Sequence, residues 1–335
     1  MSRPASSLLS TPALLCLLLL WFTPQRTRAD WEGDYEYSTD GSTVTIIGYA
    51  GPGGAITIPP KIAGLPVATI GNYAFYDFTN LTGVIIPSSF TALEEGAFSK
   101  CTGLTNVNIG NSVTTIGSYA FADCTSLPGI TIPDSVTTIG SWAFAHCTSL
   151  RRITIPDSVT AVEDWAFTQC SGLTNALVGN SVATIGDYVF SDCRWLRSVI
   201  FGEGVASVGT GCFSGCLGLT GAYFRGDAPS VGPDAFLGAE FAIIYYLPWA
   251  TGWGATFGDC PTDLWNLDGV PFRFTATNLT ITVTGYTGSG GDATIPTTID
   301  GLPVTGIGTN AFANNLSLTN ITVPSSVTNI GEAAV

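Results

Sequence analysis

The chain has 335 residues, with 11 basic residues against 25 acidic ones, a single histidine and a net charge of −14. Such a surface repels phosphate backbones, which argues against nucleic acid as a partner. Any Ser-His-Asp or Cys-His constellation would have to use His146, so composition also argues against this kind of catalysis.

The first predicted element is a secretory signal at residues 1–29. Arg3 gives a positive start, an apolar run covers residues 8–22, and Thr27 and Ala29 fit a cleavage site. The run is short for a membrane span, so we expect cleavage and no membrane insertion afterwards. The rest of the chain is therefore predicted to be secreted or displayed at the cell surface.

Residues 30–69 are predicted to form an N-terminal β cap. Short alternating apolar stretches surround the glycine-rich turn Gly51-Pro52-Gly53-Gly54. The segment lies outside the repeat register that follows it. Because the first repeat of an array exposes its apolar interior, a covering segment is expected here.

Residues 70–240 repeat themselves every 23 residues. The phenylalanine column comprises Phe75, Phe98, Phe121, Phe144, Phe167, Phe190, Phe213 and Phe236. The leucine column comprises Leu81, Leu104, Leu127, Leu150, Leu173, Leu196 and Leu219. The cysteine column comprises Cys101, Cys124, Cys147, Cys170, Cys193 and Cys216. This self-similarity predicts a solenoid whose coils bury their apolar sides against each other.

The repeat Leu127–Ser149 illustrates the predicted coil. Leu127, Ile130 and Ile132 are apolar with small or polar residues between them, which predicts a strand that ends at Pro133. The stretch 141–147 is predicted to form one short helical turn. The fold class is thus mainly β, with stacked parallel strands on one side and short helical turns on the other.

The repeated pattern L-x-x-I-x-I-P-x-S-V-T-x-I-G-x-x-A-F-x-x-C-x-x resembles the 23-residue leucine-rich repeat of the BspA-like family of surface proteins. The resemblance covers roughly residues 70–240 and 302–335. It implies a leucine-rich-repeat solenoid. It also implies a non-catalytic role in adhesion or in binding an extracellular or surface protein.

The remaining residues are predicted to end one array and begin another. Residues 241–269 break the period, are rich in aromatic residues and are expected to form a C-terminal cap or linker. Residues 270–301 are a second β cap, because the segment 274–312 aligns without a gap with residues 37–75. Residues 302–335 begin a second repeat array, which we expect to be truncated.

Two surface features are candidate binding sites. The outward positions of the strands form the first, a partner-binding face that contains Asn106, Asn108, Thr131, Arg152, Thr154, Asn175 and Arg197. The second is an aromatic column, two positions before the phenylalanine of each repeat. It forms a platform of Tyr119, Trp142, Trp165 and Tyr188. The face could contact an acidic partner or simply be solvated. The rings could stack on a sugar or peptide, or simply pack on each other.

Chemistry-bearing residues suggest no catalytic, cofactor or metal site. His146 occupies a variable outward column and is interpreted as a solvated side chain. The cysteine column is interpreted mainly as a buried ladder of free thiols, with disulfides between neighbours or a soft metal as alternatives. Asp134, Asp157 and Asn180 fit turn capping better than calcium binding. The sequence therefore favours a binding protein, with a carbohydrate-binding or structural module of a larger exported protein as the alternative.

Overall fold

The computed structural model describes residues 29–247, 250–265, 272–277, 280–286, 288, 290–299, 302–313, 315 and 317–334. This part of the chain is built from 29 strands and contains no helix, which confirms the mainly β solenoid. Within the described ranges, no helix is long and apolar enough to cross a membrane. The predicted signal at residues 1–29 lies almost entirely outside the described residues.

The strands are short and fall into three groups along the chain. The first group comprises β1 (Asp30–Glu32), β2 (Tyr35–Thr39), β3 (Val44–Tyr49), β4 (Gly54–Thr57), β5 (Lys61–Ile62) and β6 (Leu65–Ile70). The second comprises β7 (Leu81–Ile85), β8 (Ala92–Leu93), β9 (Asn106–Asn108), β10 (Thr115–Ile116), β11 (Thr138–Ile139), β12 (Arg152–Ile155), β13 (Ala161–Val162), β14 (Asn175–Val178), β15 (Thr184–Ile185), β16 (Ser198–Phe201), β17 (Ser207–Val208), β18 (Gly221–Phe224) and β19 (Ser230–Val231). The third comprises β20 (Ile243–Tyr246), β21 (Thr256–Phe257), β22 (Cys260–Leu264), β23 (Phe272–Thr277), β24 (Thr280–Tyr286), β25 (Gly291–Thr294), β26 (Thr298–Ile299), β27 (Leu302–Ile307), β28 (Leu318–Thr322) and β29 (Asn329–Ile330).

Most coils, as we call the 23-residue repeats, contribute one strand to each of two stacks. The two-residue strands pair in parallel in the order β8-β10-β11-β13-β15-β17-β19, so that Ile116 lies beside Ile139. The longer strands form a second stack, β12-β14-β16-β18-β20-β22, and a separate short one, β4-β7-β9. Side chains between the two stacks fill the interior, as expected when successive residues of a strand point to opposite faces.

The phenylalanine column runs along the middle of that interior. Neighbouring rings from Phe75 to Phe236 lie 4.9 to 5.5 Å apart between centroids and are nearly parallel. Phe144 is fully buried, and so are Leu127 and Cys147 of the same coil. The columns found in the sequence are therefore the core of the solenoid.

The predicted helical turn at residues 141–147 is wrong. Trp142 and His146 both have a φ of +60°, a left-handed conformation that interrupts an α-helix. The N–H groups of Trp142, Phe144 and His146 donate to carbonyls of the next coil, while those of Ala143 and Ala145 donate locally. Pairing with the neighbouring coil thus replaces the i to i−4 bonds of a helix.

The predicted β caps are not supported. β3 pairs in parallel with β6, and Val44 lies beside Val67, so residues 44–70 already form a coil of the solenoid. At the other end β20 continues the long stack, with Ile243 beside Gly221. Among the described residues, which start at residue 29, the hairpin of β1 and β2 is all that precedes the first coil. The proposed domain boundaries stay predictions.

The segment after residue 270 repeats the start of the chain strand by strand. β6 and β27 have the same length and begin 237 residues apart, at Leu65 and Leu302. The antiparallel pairs β2–β3 and β23–β24 even share a register shift, just before Tyr37 in one and just before Phe274 in the other. The same local sequence therefore gives the same local structure twice.

Candidate partner-binding face

The strand face, meaning the outward side of the long strands, changes character along the solenoid. One column of outward positions is formed by Ile85, Asn108, Thr131, Thr154, Leu177, Ile200, Tyr223 and Tyr245. Its first three members are exposed, Thr154 is half-buried, and Leu177 and Ile200 are only 5% and 9% exposed. The column is thus open at one end of the solenoid and covered at the other.

The covered part packs with the second repeat of the starting segment. Leu177 and Ile200 belong to one cluster of buried apolar side chains together with Trp265, Phe272 and Phe274. The ring centroids of Tyr223 and Trp265 are 5.1 Å apart, and those of Trp265 and Phe274 are 5.7 Å apart. Residues from within the chain therefore occupy half of the face that the sequence predicted as a binding surface.

Sequence reasoning missed Arg225 at this junction. Its side chain is 2% exposed, and its guanidinium carbon lies 5.9 Å from the Trp265 ring centroid and 5.5 Å from that of Phe274. These are cation–π distances. The repeat register could have identified this residue, because preceding coils carry glycine or proline at the corresponding position, for example Pro156 and Gly202. An arginine in such a column indicates a special contact.

The predicted partner-binding residues divide between the open and covered parts. Asn106, Asn108, Thr131 and Arg152 are exposed in the open part, and Thr154 is half-buried at its border. Arg197 is also exposed. In contrast, Asn175 is half-buried, with its side-chain amide 2.7 Å from the Ser198 hydroxyl and its carbonyl accepting from Thr174. Four of these residues (Asn106, Thr131, Arg152 and Thr154) line one groove with a volume of 620 Å³.

The arginines give this region a local positive charge. Arg194 lies 3.7 Å from Asp192, whereas Arg151, Arg152 and Arg197 form no ion pair within the part of the chain that the structure describes. All three are exposed. On a chain with a net charge of −14, this cluster is a local basic region of the surface.

The aromatic column forms a continuous stack. Ring centroids are 5.9 Å apart for Tyr119 and Trp142, 4.9 Å for Trp142 and Trp165, and 4.1 Å for Trp165 and Tyr188, with nearly parallel planes. Tyr188 also lies over Gly211, where an added Cβ would be 2.3 Å from a ring carbon. Neighbouring rings thus cover both faces of Trp142 and of Trp165, and Gly211 lies against the outer face of Tyr188, whereas Tyr119 at the start of the stack is 38% exposed. The sugar platform stays a prediction, and this packing does not favour it.

The cysteine column is a series of buried thiols. All eight cysteines of the described residues are free and buried. Each thiol of the column approaches a phenylalanine carbonyl; Cys147 Sγ, for example, lies 3.2 Å from the carbonyl oxygen of Phe121. Burial raises the pKa of Cys101 to about 12 and holds the pKa of Cys124 and Cys193 well above its usual value. These thiols are poor nucleophiles and poor metal ligands.

His146 has a partner that the sequence did not predict. Its Nδ1 lies 2.8 Å from a carboxylate oxygen of Asp123, one coil earlier, and both side chains are partly exposed. The side chain is partly solvated, as interpreted, and its contact with Asp123 was not anticipated. Within the described ranges, no serine or cysteine hydrogen-bonds to this ring, and no cluster of three possible metal ligands is present.

Asp157 caps the chain of the next coil. Its carboxylate accepts from the backbone N–H of Asn180 at 2.6 Å. This contact fits the turn-capping interpretation of the column and uses an oxygen that a calcium ion would need.

Comparison with known proteins points to one family. The profile of the BspA type leucine rich repeat region matches six copies, over residues 56–171, 116–241 and 294–335. No curated protein matches the chain.

Solved structures with a similar fold come from several bacteria. A T. pallidum leucine rich repeat protein is 30% identical, with 64% of this chain and 91% of that chain covered and a TM-score of 0.49. A leucine rich cell surface protein from Faecalibacterium prausnitzii A2-165 is 24% identical, with 91% and 95% covered and a TM-score of 0.45. The pneumococcal vaccine antigen PcpA is 14% identical, with 89% and 99% covered and a TM-score of 0.43.

Proposed function

Because the chain belongs to the BspA-type leucine-rich-repeat family, we propose that it is a secreted or cell-surface protein that binds a partner protein and has no catalytic role. Its binding surface is the open part of the strand face, from Asn106 to Thr154, together with the exposed Arg197 two coils further on. The observation that carries this proposal is the groove lined by Asn106, Thr131, Arg152 and Thr154, in the half of the face that the chain itself does not cover. Secretion rests on the signal predicted at residues 1–29.

A protein partner fits this surface better than a glycan. The exposed groups of the open part are amides, hydroxyls and the guanidinium of Arg152. On both sides of the groove, strand pairing with a neighbouring coil holds the backbone of Asn106, Asn108 and Arg152 in place. Rigid polar surfaces of this kind favour protein recognition because little conformational entropy is lost on binding. The aromatic rings that would stack on a sugar are already stacked on each other.

Charge reversal tests this assignment. We expect the double variant Arg152→Glu/Arg197→Glu to bind an acidic partner at least about tenfold more weakly, because attraction becomes repulsion at the contact. Binding can be measured by interferometry on a panel of immobilised collagen, fibronectin, laminin and mucin. The matched control is Lys61→Glu/Lys100→Glu, which changes the net charge equally at exposed positions in earlier coils.

Several outcomes would contradict the proposal. Equal losses in both double variants would show that only overall charge matters. Absence of any bound protein, together with binding to a glycan array that is lost in Trp142→Ala/Trp165→Ala, would favour carbohydrate recognition by the aromatic column instead.

A further inference from the structure

The strand face is interrupted in one coil, at residues 129–132. The sequence predicted a strand there, from the alternation of Leu127, Ile130 and Ile132, and that prediction is wrong, since the segment is not part of any sheet. Within the described residues, no backbone hydrogen bond joins residues 129–132 to the coil on either side. The long strands consequently form two separate stacks, which end at β9 and begin again at β12.

Pro128 and Gly129 explain the interruption. In other coils the residue that corresponds to Pro128 donates its backbone N–H to the preceding coil. The N–H of Thr105 donates to the carbonyl of Thr82 at 2.9 Å, and that of Thr174 donates to the carbonyl of Arg151 at 2.9 Å. Pro128 has no N–H and cannot make the equivalent bond to Thr105. Glycine at the next position weakens strand pairing further, because it loses more backbone entropy and has no side chain to pack.

The interruption leaves strand edges with unpaired peptide groups. β9 pairs only with β7, and β12 pairs only with β14, so each has one edge that faces the unpaired segment. An open edge with free N–H and C=O groups is a template for another extended chain. In this protein the edges lie in the middle of the face, beside the groove.

The groove follows the strand direction. Its lining begins with Asn106 and Arg152, the first residues of β9 and β12, and continues to Asn111 and Pro156 beyond the ends of these strands. Half-buried Ile130 also lines it, which gives the groove an apolar contact. A Cβ added to Gly129 would meet no atom within 4 Å, so the space above this residue is open.

We propose that this groove binds an extended peptide segment of the partner protein by adding main-chain hydrogen bonds at the interrupted sheet, with an acidic side chain of the peptide at Arg152. The inference rests on the proposed function and specifies its binding mode. Such strand addition takes its affinity from the peptide backbone and its specificity from alternate side chains. Arg151 and Arg152 supply positive charge at one end of the groove, while Asp134 lines the other and favours a donor there.

Repairing the sheet tests this inference. Pro128→Thr/Gly129→Asn places the residue types of Thr105 and Asn106 at the interrupted positions and restores an N–H opposite the Thr105 carbonyl. We expect the repaired protein to be more stable towards urea, because a hydrogen bond and a strand are gained, and to lose peptide binding because the groove is filled. A loss of binding that accompanies a gain of stability is not explained by misfolding.

The probe is a phage-displayed library of random peptides of about ten residues, the length of a long strand. Selection on the wild-type protein is expected to enrich peptides with an acidic residue near one end. Synthetic versions should bind the repaired variant at least about tenfold more weakly than the wild type. Pro233→Thr is the control variant. Pro233 lies in a later coil, and threonine already occupies the corresponding position of the coil before it, at Thr210. This variant should bind the peptides as the wild type does.

The outcomes separate this inference from the proposed function. If the selected peptides bind the repaired variant normally but lose binding in Arg152→Glu/Arg197→Glu, the face binds partners and the groove mode is wrong. If no peptide is enriched while a matrix protein binds, the groove inference is likewise overturned and the proposed function stands. If neither peptides nor proteins bind, both are wrong.

Discussion

Ellman's reagent at pH 8 will leave the thiols of the native protein almost unmodified, and unfolding in guanidinium without reductant will expose all eight thiols of the described residues. The reagent reacts with thiolates, and burial raises the pKa of Cys101 to about 12. Against an ordinary pKa of about 8.5, such a shift lowers the thiolate fraction at pH 8 by roughly a thousandfold. Cys260, at 7% exposed the least deeply buried of the eight, should react first.

The same pKa shifts make the protein less stable at high pH. A thiol whose pKa is raised on folding keeps its proton in the folded state while the unfolded chain releases it. The contribution to stability is therefore fully present below about pH 8.5 and declines as the pH rises towards the folded-state pKa.

Fewer than eight reactive thiols after unfolding without reductant would show disulfides between neighbouring coils and contradict the ladder of free thiols.

Phe144→Ala will destabilise the protein by about 3–5 kcal/mol, the range for removing a fully buried phenylalanine. The side chain is 0% exposed, and its ring stacks between Phe121 at 5.4 Å and Phe167 at 5.2 Å. Because coils contact only their neighbours, a cavity in a central coil also weakens the interfaces on both sides. Urea unfolding followed by circular dichroism measures the change.

The control for this substitution is Phe241→Ala. That side chain is 72% exposed, so its removal should change the free energy of unfolding by less than about 0.5 kcal/mol. If the two variants unfold at the same urea concentration, the phenylalanine column does not hold the solenoid together and our description of the core is wrong.

The core of this protein could be predicted because identical contacts recur in every coil. In the columns of Phe144, Leu150 and Cys147, each inward side chain meets the same residue type one coil away, so these columns report their environment directly. The conformation of residues 141–147 could not be predicted in this way. Alanine, phenylalanine and cysteine fit a helical turn by burial alone, whereas the left-handed φ of Trp142 and His146 is set by pairing between coils.

The binding face was predicted only in part because two non-repeating events shape it. Leu177, Ile200 and Tyr223 break the polar character of their column, and this was a signal of coverage. The column itself does not say which distant residues cover it; here these include Trp265 and Phe274. The interruption at residues 129–132 was missed because the apolar alternation outweighed the one missing N–H of Pro128.

Native-state hydrogen exchange tests the central claim, that the strand face is open at residues 129–132, most directly. The amides of residues 176–178 are the control, since β14 pairs with strands on both sides. We predict that the amides of residues 129–132 exchange within about tenfold of an unstructured peptide, while those of the control are slower by at least about a thousandfold. Equal protection of the two segments would show a continuous sheet and would contradict both the open groove and the binding mode inferred from it.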